Sequence, residues 1–268
     1  MIGQITLLQH IQEQIENGTF PRFSIIVGDK GSGKKTLVHI IAELLGVTSV
    51  DWCSTSIDAI RGMITDAHMT RSYKILYVIP DADTMSIQAK NALLKVTEEP
   101  PANCYFIMTL EDLNNTLETI RSRGTVFRME TYTPDHIKEY CKICDIKYDT
   151  LYEDICDTPG DVDMLNSFGS TDFYEYVKLT VDHIQKVSLA NALKMSNRIS
   201  MKAEDTENYD LKLFWKAFIK VCAGKMIQER EYIDWIRITS KALSKLRVRG
   251  INKQMLFDNW VFDIREWR

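Results

Sequence analysis

The chain has 268 residues, of which 45% are hydrophobic and 26% charged, and it carries a formal net charge of -4 at pH 7. This length and composition favour two or three domains with substantial cores, and the acidic balance excludes a generally basic nucleic-acid coat, so any DNA contact must be local. Because the first residues lack a basic segment followed by an apolar core, and no apolar run approaches the roughly 18 residues of a membrane helix, we expect a cytoplasmic protein without membrane contact.

The first half alternates helix-like and strand-like segments, which is the pattern of a parallel sheet with helices on both faces. Helical periodicity predicts four helices in the stretches "QITLLQHIQEQIEN", "TLVHIIAELLG", "SIDAIRGMITDAH" and "SIQAKNALLKVTEE". Apolar runs predict buried strands in "FSIIV", "KILYVI" and "CYFIMTL". The fold class predicted for this half is therefore α/β.

Between the first strand and the second helix lies the segment "VGDKGSGKKT", which has the spacing of a phosphate-binding loop. Such a loop uses glycines to turn tightly and to aim N–H groups at phosphate oxygens, and its lysine neutralises charge in front of a helix N-terminus. The motif requires Ser or Thr after its lysine, but Lys35 occupies that position, so the loop is degenerate. The candidate nucleotide-binding residues are Gly28, Gly31, Gly33, Lys34, Lys35 and Thr36.

Hydrolysis of ATP further requires Mg²⁺, held by the loop hydroxyl and by an Asp that ends a neighbouring strand. Here Pro80 stands where that Asp is expected, and Asp81 follows in the place of the catalytic Glu, as a degenerate second motif. Thr36 or Asp83 would substitute only after a shift that re-aims the side chain. We therefore expect no Mg²⁺ site, at most weak or vestigial binding of ATP or ADP, and inefficient hydrolysis.

From about Pro134 onward, only helices are predicted, first in a small segment and then as longer amphipathic helices. Residues that recur at helical spacing should form buried faces of these helices. The three sets are Phe173, Val177, Val181 and Ile184; Leu211, Phe214, Phe218 and Val221; and Leu256, Trp260, Ile264 and Trp267.

Six scattered cysteines are too few for a disulfide framework, and only Cys141 and Cys144 form a C-x-x-C pair. Their spacing on a predicted helix favours a packed structural pair. The alternative is half of a zinc site, for which Cys156 is the nearest further ligand.

Two stretches, "IPDADTMSIQAKNALLKVTEEPPANCYFIMT" and "LETIRSRGTVF", resemble clamp-loader subunits of the AAA+ class, and most closely the delta-prime group of bacterial DNA polymerase III subunits. The resemblance is strongest over about residues 1–130. It implies an AAA+ P-loop domain with a parallel sheet over residues 1–132, a small helical lid over 133–169 and an all-α collar domain over 170–268.

In this family five subunits form an open ring that uses ATP to load a sliding clamp on primer-template DNA. The resemblance thus implies motor and clamp-opening subunits as partners, an indirect link to the clamp, and DNA within the assembly. The arginine of the family's Ser-Arg-Cys motif reaches a neighbour's ATP, which here implies Arg123 as an arginine finger in trans, with Gly124 in place of Cys. The alternative is that Arg121 and Arg123 solvate a helix end or pair with local carboxylates.

Two departures from the family concern metal and nucleotide. Cys53 is the only cysteine between the loop and "KILYVI", so the family's four-cysteine zinc module is missing, and Asp161 and Asp163 stand where a lid arginine would sense nucleotide. With Lys35 and Pro80, these losses predict a stator that is not catalytically active alone within a DNA polymerase III holoenzyme assembly. The alternatives are an ATP-hydrolysing motor subunit, a stand-alone AAA+ ATPase, and a direct DNA-binding adaptor.

Basic residues offer two further candidates for DNA contact. The helix around Lys90 and Lys95 lines the DNA chamber in the family, with Ile87 expected to pack inward, yet a solvated face for both lysines is at least as compatible with the pattern. The basic stretch over residues 237–253 has few interleaved aromatic residues, which favours a solvated or subunit-contact face.

Overall fold

A computed structural model describes residues 1–200, 209–226, 230–246, 248 and 250–266. The chain divides into two compact units, Met1–Thr133 and Pro134–Arg268. Arg247 and Arg249 of the basic stretch, and Trp267 of the last apolar set, lie outside the described residues. Within the described ranges, no helix is long and apolar enough to cross a membrane.

The first unit alternates helices and strands, as the sequence predicts. In chain order its elements are α1 (Ile5–Glu16), β1 (Phe23–Val27), α2 (Lys34–Leu45), β2 (Ser49–Trp52), α3 (Ile57–Ala67), β3 (Ile75–Ile79), α4 (Ile87–Glu98), β4 (Cys104–Leu110), α5 (Glu118–Arg121) and β5 (Thr125–Arg128).

The five strands form one sheet in the order β2-β3-β4-β1-β5, and every neighbouring pair is parallel. The three central strands read as continuous apolar runs because both of their faces are buried. In a parallel sheet the carboxyl ends of the strands meet at one edge, which is where ligands bind in open α/β folds. The segments that follow β1, β3 and β4 therefore converge.

Two hydrophobic clusters cover the two faces of the sheet, because successive strand residues point to opposite sides. Burial of each large aliphatic or aromatic side chain contributes about 1.5–3 kcal/mol. One cluster joins Ile25, Tyr77 and Phe106 to α3 and α4; the other joins Ile26, Val78 and Ile107 to α1 and α2.

The helix α4 starts and stops where its sequence indicates, but its exposed face differs from the expectation. Ser86 caps it by accepting a hydrogen bond from the backbone N–H of Ala89, at 3.1 Å, and it ends before two prolines. The predicted inward packing of Ile87 is wrong, because this first-turn side chain is 64% exposed. Lys90 is buried instead and donates from Nζ to the carbonyl oxygen of Asn115, whereas Lys95 is exposed as expected.

The second unit is predominantly helical. Its elements are α6 (Pro134–Ile143), α7 (Thr150–Ile155), α8 (Pro159–Phe168), α9 (Ser170–His183), α10 (Leu189–Lys194), β6 (Ile199–Ser200), β7 (Tyr209–Asp210), α11 (Leu211–Lys225), α12 (Glu231–Lys245) and α13 (Lys253–Glu266). The short parallel pair β6 and β7 was not expected from the sequence.

The three predicted apolar faces form the core of this unit. Every described member of the three sets is buried, and the aromatic residues contact one another across helices. The Trp260 ring makes an edge contact with Phe218 at 4.9 Å between centroids, and its Nε1 donates to the Thr239 hydroxyl at 2.9 Å.

Three lysines at four-residue intervals on α11 form what we call the lysine ladder: Lys212, Lys216 and Lys220. Lys212 contacts Asp157 at 3.3 Å and Asp161 at 3.1 Å, Lys216 pairs with Asp157, and Lys220 contacts Asp154 at 2.9 Å. The ladder ties α7 and α8 to α11, and thus links the segment predicted as a lid to a long helix of the segment predicted as a collar. That division remains a prediction.

Candidate functional site

The predicted phosphate-binding loop lies between β1 and α2, with the N-terminus of α2 directly behind it. Gly31 and Gly33 have φ angles of 79° and 87°, in the left-handed region that glycine adopts without strain. At Gly28 a Cβ would lie 2.5 Å from the Met129 side chain and 2.9 Å from Ser32 Oγ. These three positions therefore require glycine, and the loop has the form of a phosphate cradle.

The loop lysine is bonded to the loop itself. Lys34 is almost fully buried, and its Nζ donates to the carbonyl oxygens of Gly28, at 2.6 Å, and Asp29, at 3.0 Å. Burial lowers the pKa of Lys34, although the nearby carboxylates of Glu111 and Asp81 act in the opposite direction. These two bonds use two of the three N–H donors of the ammonium.

Residues from both ends of the first unit pack against the loop. The Tyr132 hydroxyl donates to the carbonyl oxygen of Ser32 at 2.7 Å, and a Cβ built on Gly33 would lie 2.6 Å from Met1 Cε. The buried Ser32 hydroxyl has no hydrogen-bond partner within the described part of the chain. An orphaned donor beside the glycine cradle fits the oxygen of a phosphate group.

Asp83, considered above as a substitute ligand for Mg²⁺, is bonded within its own chain instead. Asp83 Oδ2 accepts from the backbone N–H of Glu111 at 2.7 Å, and Asp83 Oδ1 accepts from the N–H of Asp112 at 3.2 Å and from Asn115 Nδ2 at 3.1 Å. Both carboxylate oxygens are thus committed to the segment after β4. No group of three or more candidate metal ligands occurs among the described residues.

The other predicted positions around the loop face solvent. Lys35 and Thr36 are exposed on the first turn of α2, and Asp81 is exposed with a φ of 48°, while its N–H donates to the Thr109 hydroxyl at 3.1 Å. Glu111 follows β4 at the same edge of the sheet and was not among the site residues predicted from the sequence. Partial removal from water raises the pKa of its carboxyl, against the attraction of Lys34. Its position directly after a buried strand is the sequence feature that could have identified it as a residue of this edge.

Arg123 lies just beyond α5 and is held by two partners from its own chain. Its Nη1 donates to the carbonyl oxygen of Thr119 in the last turn of α5, and its Nη2 pairs with Oε1 of Glu98 at the end of α4. The side chain of Arg123 is 29% exposed and that of Glu98 is 51% exposed. Arg121 contacts Asn114 Oδ1 at 3.5 Å. The structure thus shows the local pairing of Arg123 that the sequence left open, at a position that solvent reaches.

Gly124, which replaces the cysteine of the family motif, is enclosed by the first strand. A Cβ on Gly124 would lie 2.8 Å from Cγ1 of Ile25 and 2.8 Å from Cε1 of Phe23, both buried in the sheet. Glycine is therefore the residue that lets the turn after Arg123 approach β1.

The aspartates in place of a lid arginine have local roles. Asp161 forms a capping box with Thr158 at the start of α8, and burial raises the pKa of Asp161 although Lys212 contacts it. The Tyr140 hydroxyl contacts both carboxylate oxygens of Asp163, at 2.9 and 2.8 Å. These side chains stabilise the helices of the second unit.

The cysteine pair is packed at only one of its two positions. Cys141 is buried in α6, but Cys144 is exposed just beyond the end of that helix, so the expected packed pair is wrong for Cys144. Cys156 is buried, and burial raises the pKa of its thiol.

A parallel sheet of this order, with a phosphate-type loop after β1 and a helical second unit, is the architecture of AAA+ P-loop proteins. A DNA polymerase III gamma subunit-related protein of Thermotoga maritima has the same fold, with a TM-score of 0.56 and 15% identity over 97% of this chain and 99% of that one.

Sequence comparison defines the relationship more closely. Residues 47–133 match the family described as "DNA polymerase III, delta subunit". The DNA polymerase III subunit gamma of Buchnera aphidicola (subsp. Schizaphis graminum) is 27% identical over 172 residues, which cover 53% of this chain and 47% of the relative. The subunit delta' of Bacillus subtilis is 27% identical over 127 residues, which cover 47% and 32% respectively.

Over about half of its length, the chain is therefore similar to DNA polymerase III subunits, in line with its resemblance to AAA+ clamp-loader subunits. The chain spans about half the length of the first curated relatives that it matches, with covered shares of 47%, 49% and 47%.

Proposed function

We propose that this chain is a delta-prime-like stator subunit of a DNA polymerase III clamp loader. In this role it supports ATP-driven loading of the sliding clamp on primer-template DNA and does not hydrolyse ATP itself. The observation that carries the proposal is the commitment of both Asp83 carboxylate oxygens to the segment after β4. Pro80 and Lys35 occupy the two positions whose side chains usually hold Mg²⁺ for hydrolysis.

The phosphate cradle still allows nucleotide to bind without turnover. The glycine loop, the α2 N-terminus and the unpartnered Ser32 hydroxyl all suit phosphate oxygens, so ATP or ADP would be held by Gly28, Gly31, Gly33 and Ser32. We expect weak binding because loop carbonyls already use two of the three N–H donors of Lys34. When bound, the nucleotide supplies only a phosphate anchor.

The catalytic contribution of the chain is Arg123, acting on the nucleotide of a neighbouring subunit. Two of its five N–H donors are bonded within the chain and its side chain is 29% exposed, so a neighbour's phosphates can reach the remaining donors. A guanidinium placed at the transferred phosphoryl group stabilises the charge that develops there.

The partners of this proposal are motor and clamp-opening subunits, with the clamp engaged indirectly and DNA held within the assembly. Lys95 is the exposed basic residue of α4 that suits a backbone phosphate, and Lys90 is withdrawn from this role by its burial. Arg237, Lys241 and Lys245 are exposed on α12, and Arg237 contacts Asp234 at 3.2 Å, which favours a solvated or subunit-contact face.

Steady-state ATP turnover by the isolated chain tests the proposal. We expect negligible Mg²⁺-dependent turnover, unchanged by Lys34→Ala. Robust turnover that Lys34→Ala abolishes would establish the ATP-hydrolysing motor subunit or stand-alone ATPase instead.

Native mass measurement of the complex recovered with its partners tests the assembly. We expect the chain in a five-subunit assembly that also captures a ring-shaped clamp. A chain that binds DNA without partners, with an affinity that falls steeply with salt, would point to the DNA-binding adaptor.

A further inference from the structure

We propose that Glu98 is a positioning residue for Arg123, which holds the guanidinium in the orientation that a neighbouring subunit's nucleotide requires. This inference rests on the proposed function, because it concerns the finger that the proposal assigns to Arg123. It adds a residue from a different helix to that site.

The two terminal nitrogens of the guanidinium are bonded to residues of two different helices. Nη1 donates to the Thr119 carbonyl in the last turn of α5, and Nη2 pairs with Glu98 at the last residue of α4. An arginine offers five N–H donors in a rigid fork, so two bonds set its plane and leave three donors for an incoming anion. The 29% exposure of the side chain leaves a route for that anion.

The backbone around Arg123 is also fixed, so only the rotamer of its side chain remains free to change. The N–H groups of both Arg123 and Gly124 donate to the Ile120 carbonyl, at 3.1 and 3.2 Å, and Ile120 is fully buried in the sheet core. Gly124 packs directly on β1. Without Glu98, the long side chain would populate several rotamers, and the loss of that rotamer freedom would oppose its ordering in the transition state.

The position of Glu98 has no helix-stabilising role that would account for it. A carboxylate at the C-terminal end of a helix is disfavoured by the helix dipole. The pair brings the ends of two helices together, since α4 and α5 pack against each other. We attribute the carboxylate at this place to its contact with Arg123.

The adjacent residue Glu99 is a matched control. It is an exposed carboxylate next to Glu98, with no ion pair within the described residues, so its removal changes the local charge equally but leaves Arg123 held. Glu98→Gln is the conservative variant, because its amide oxygen still accepts from Nη2.

The experiment measures kcat and KM for ATP in the complex of the full chain with its clamp-loader partners. We expect Arg123→Ala to lower turnover at the neighbouring site by on the order of 1,000-fold, and Glu98→Ala by about 10-fold with an unchanged KM. Glu98→Gln should recover most of the loss, Glu99→Ala should match the wild type, and Arg123→Ala with Glu98→Ala should match Arg123→Ala alone.

The outcomes separate this inference from the proposed function. An unchanged turnover in Arg123→Ala would overturn the finger itself. A loss in Arg123→Ala together with wild-type or faster turnover in Glu98→Ala would overturn only the positioning role of Glu98. The same holds if Glu99→Ala lowers kcat as much as Glu98→Ala.

Discussion

At the scale of single residues, the hydrogen-bond partners of charged side chains decide what the loop edge of the sheet can hold. Lys34 is bonded to two loop carbonyls, and Asp83 accepts from two backbone N–H groups and one amide. A carboxylate that already accepts such bonds loses them if it turns to a metal ion, and each bond contributes about 0.5–1.5 kcal/mol. These hydrogen bonds therefore favour the binding of a phosphate group without a metal ion at this edge of the sheet.

Gly124 carries a prediction on stability. Gly124→Ala places a methyl group 2.8 Å from the Ile25 and Phe23 side chains, which are buried in the sheet and cannot move away freely. We expect the free energy of unfolding to fall by about 1–3 kcal/mol in urea titration.

The matched control for this variant is Gly62→Ala in α3. A Cβ on Gly62 meets nothing within 4 Å, and alanine is the better helix former by about 1 kcal/mol, so this variant should be neutral or more stable. Equal stability of Gly124→Ala and the wild type would contradict the close approach to β1.

At the scale of elements, the lysine ladder ties α11 to the short helices before it. Lys216 is its most buried member, with 18% of its side chain exposed, and it also donates to the Ile155 carbonyl at 3.1 Å. Lys220 and its partner Asp154 are 46% and 37% exposed. Hence the contribution to the free energy of unfolding should differ from one lysine of the ladder to the next.

We predict that Lys216→Met destabilises the second unit by about 1–3 kcal/mol, because it leaves the Ile155 carbonyl and one oxygen of Asp157 without their donor. Lys220→Met, which removes an exposed pair, should cost only about 0–1 kcal/mol. Amide hydrogen exchange in α7 reports both values. Equal protection in the two variants would contradict the graded ladder.

The stability contributed by the pair of Lys216 and Asp157 should depend on pH. Burial raises the pKa of Asp157, but its bonds with Lys216 and the charge of Lys212 outweigh burial and hold the pKa below the ordinary value of 3.8. Its contribution is therefore complete above the unfolded pKa and is lost as the pH falls through the folded one. The difference between the wild type and Lys216→Met should shrink in that acidic range.

The elements that the sequence predicted and those that it missed differ in burial. The strands β1, β3 and β4 are buried on both faces and appear as apolar runs, while β2 and β5 are four-residue edge strands with mixed exposure and no such run. In the site, the loop glycines and Lys34 could be located from their spacing. The partners of Asp83 could not, because they lie 28 to 32 residues away and meet it only through the parallel order of β3 and β4.

At the scale of the whole molecule, the chain carries a phosphate-type loop and, separately, a partly exposed arginine, Arg123. The loop lies at the carboxyl ends of β1, β3 and β4, whereas Arg123 lies after α5, bonded to Glu98 and Thr119. A subunit that hydrolysed its own ATP would depend on the first site, and a stator would depend on the second. This separation makes the two roles distinguishable by single substitutions.

The most direct test is single-turnover ATP hydrolysis by the assembled clamp loader with either Arg123→Ala or Lys34→Ala in this chain. We predict that Arg123→Ala slows hydrolysis at the adjacent site by on the order of 1,000-fold while the assembly stays intact. Lys34→Ala should leave hydrolysis unchanged. The reverse result, a loss of hydrolysis with Lys34→Ala and none with Arg123→Ala, would contradict the central claim.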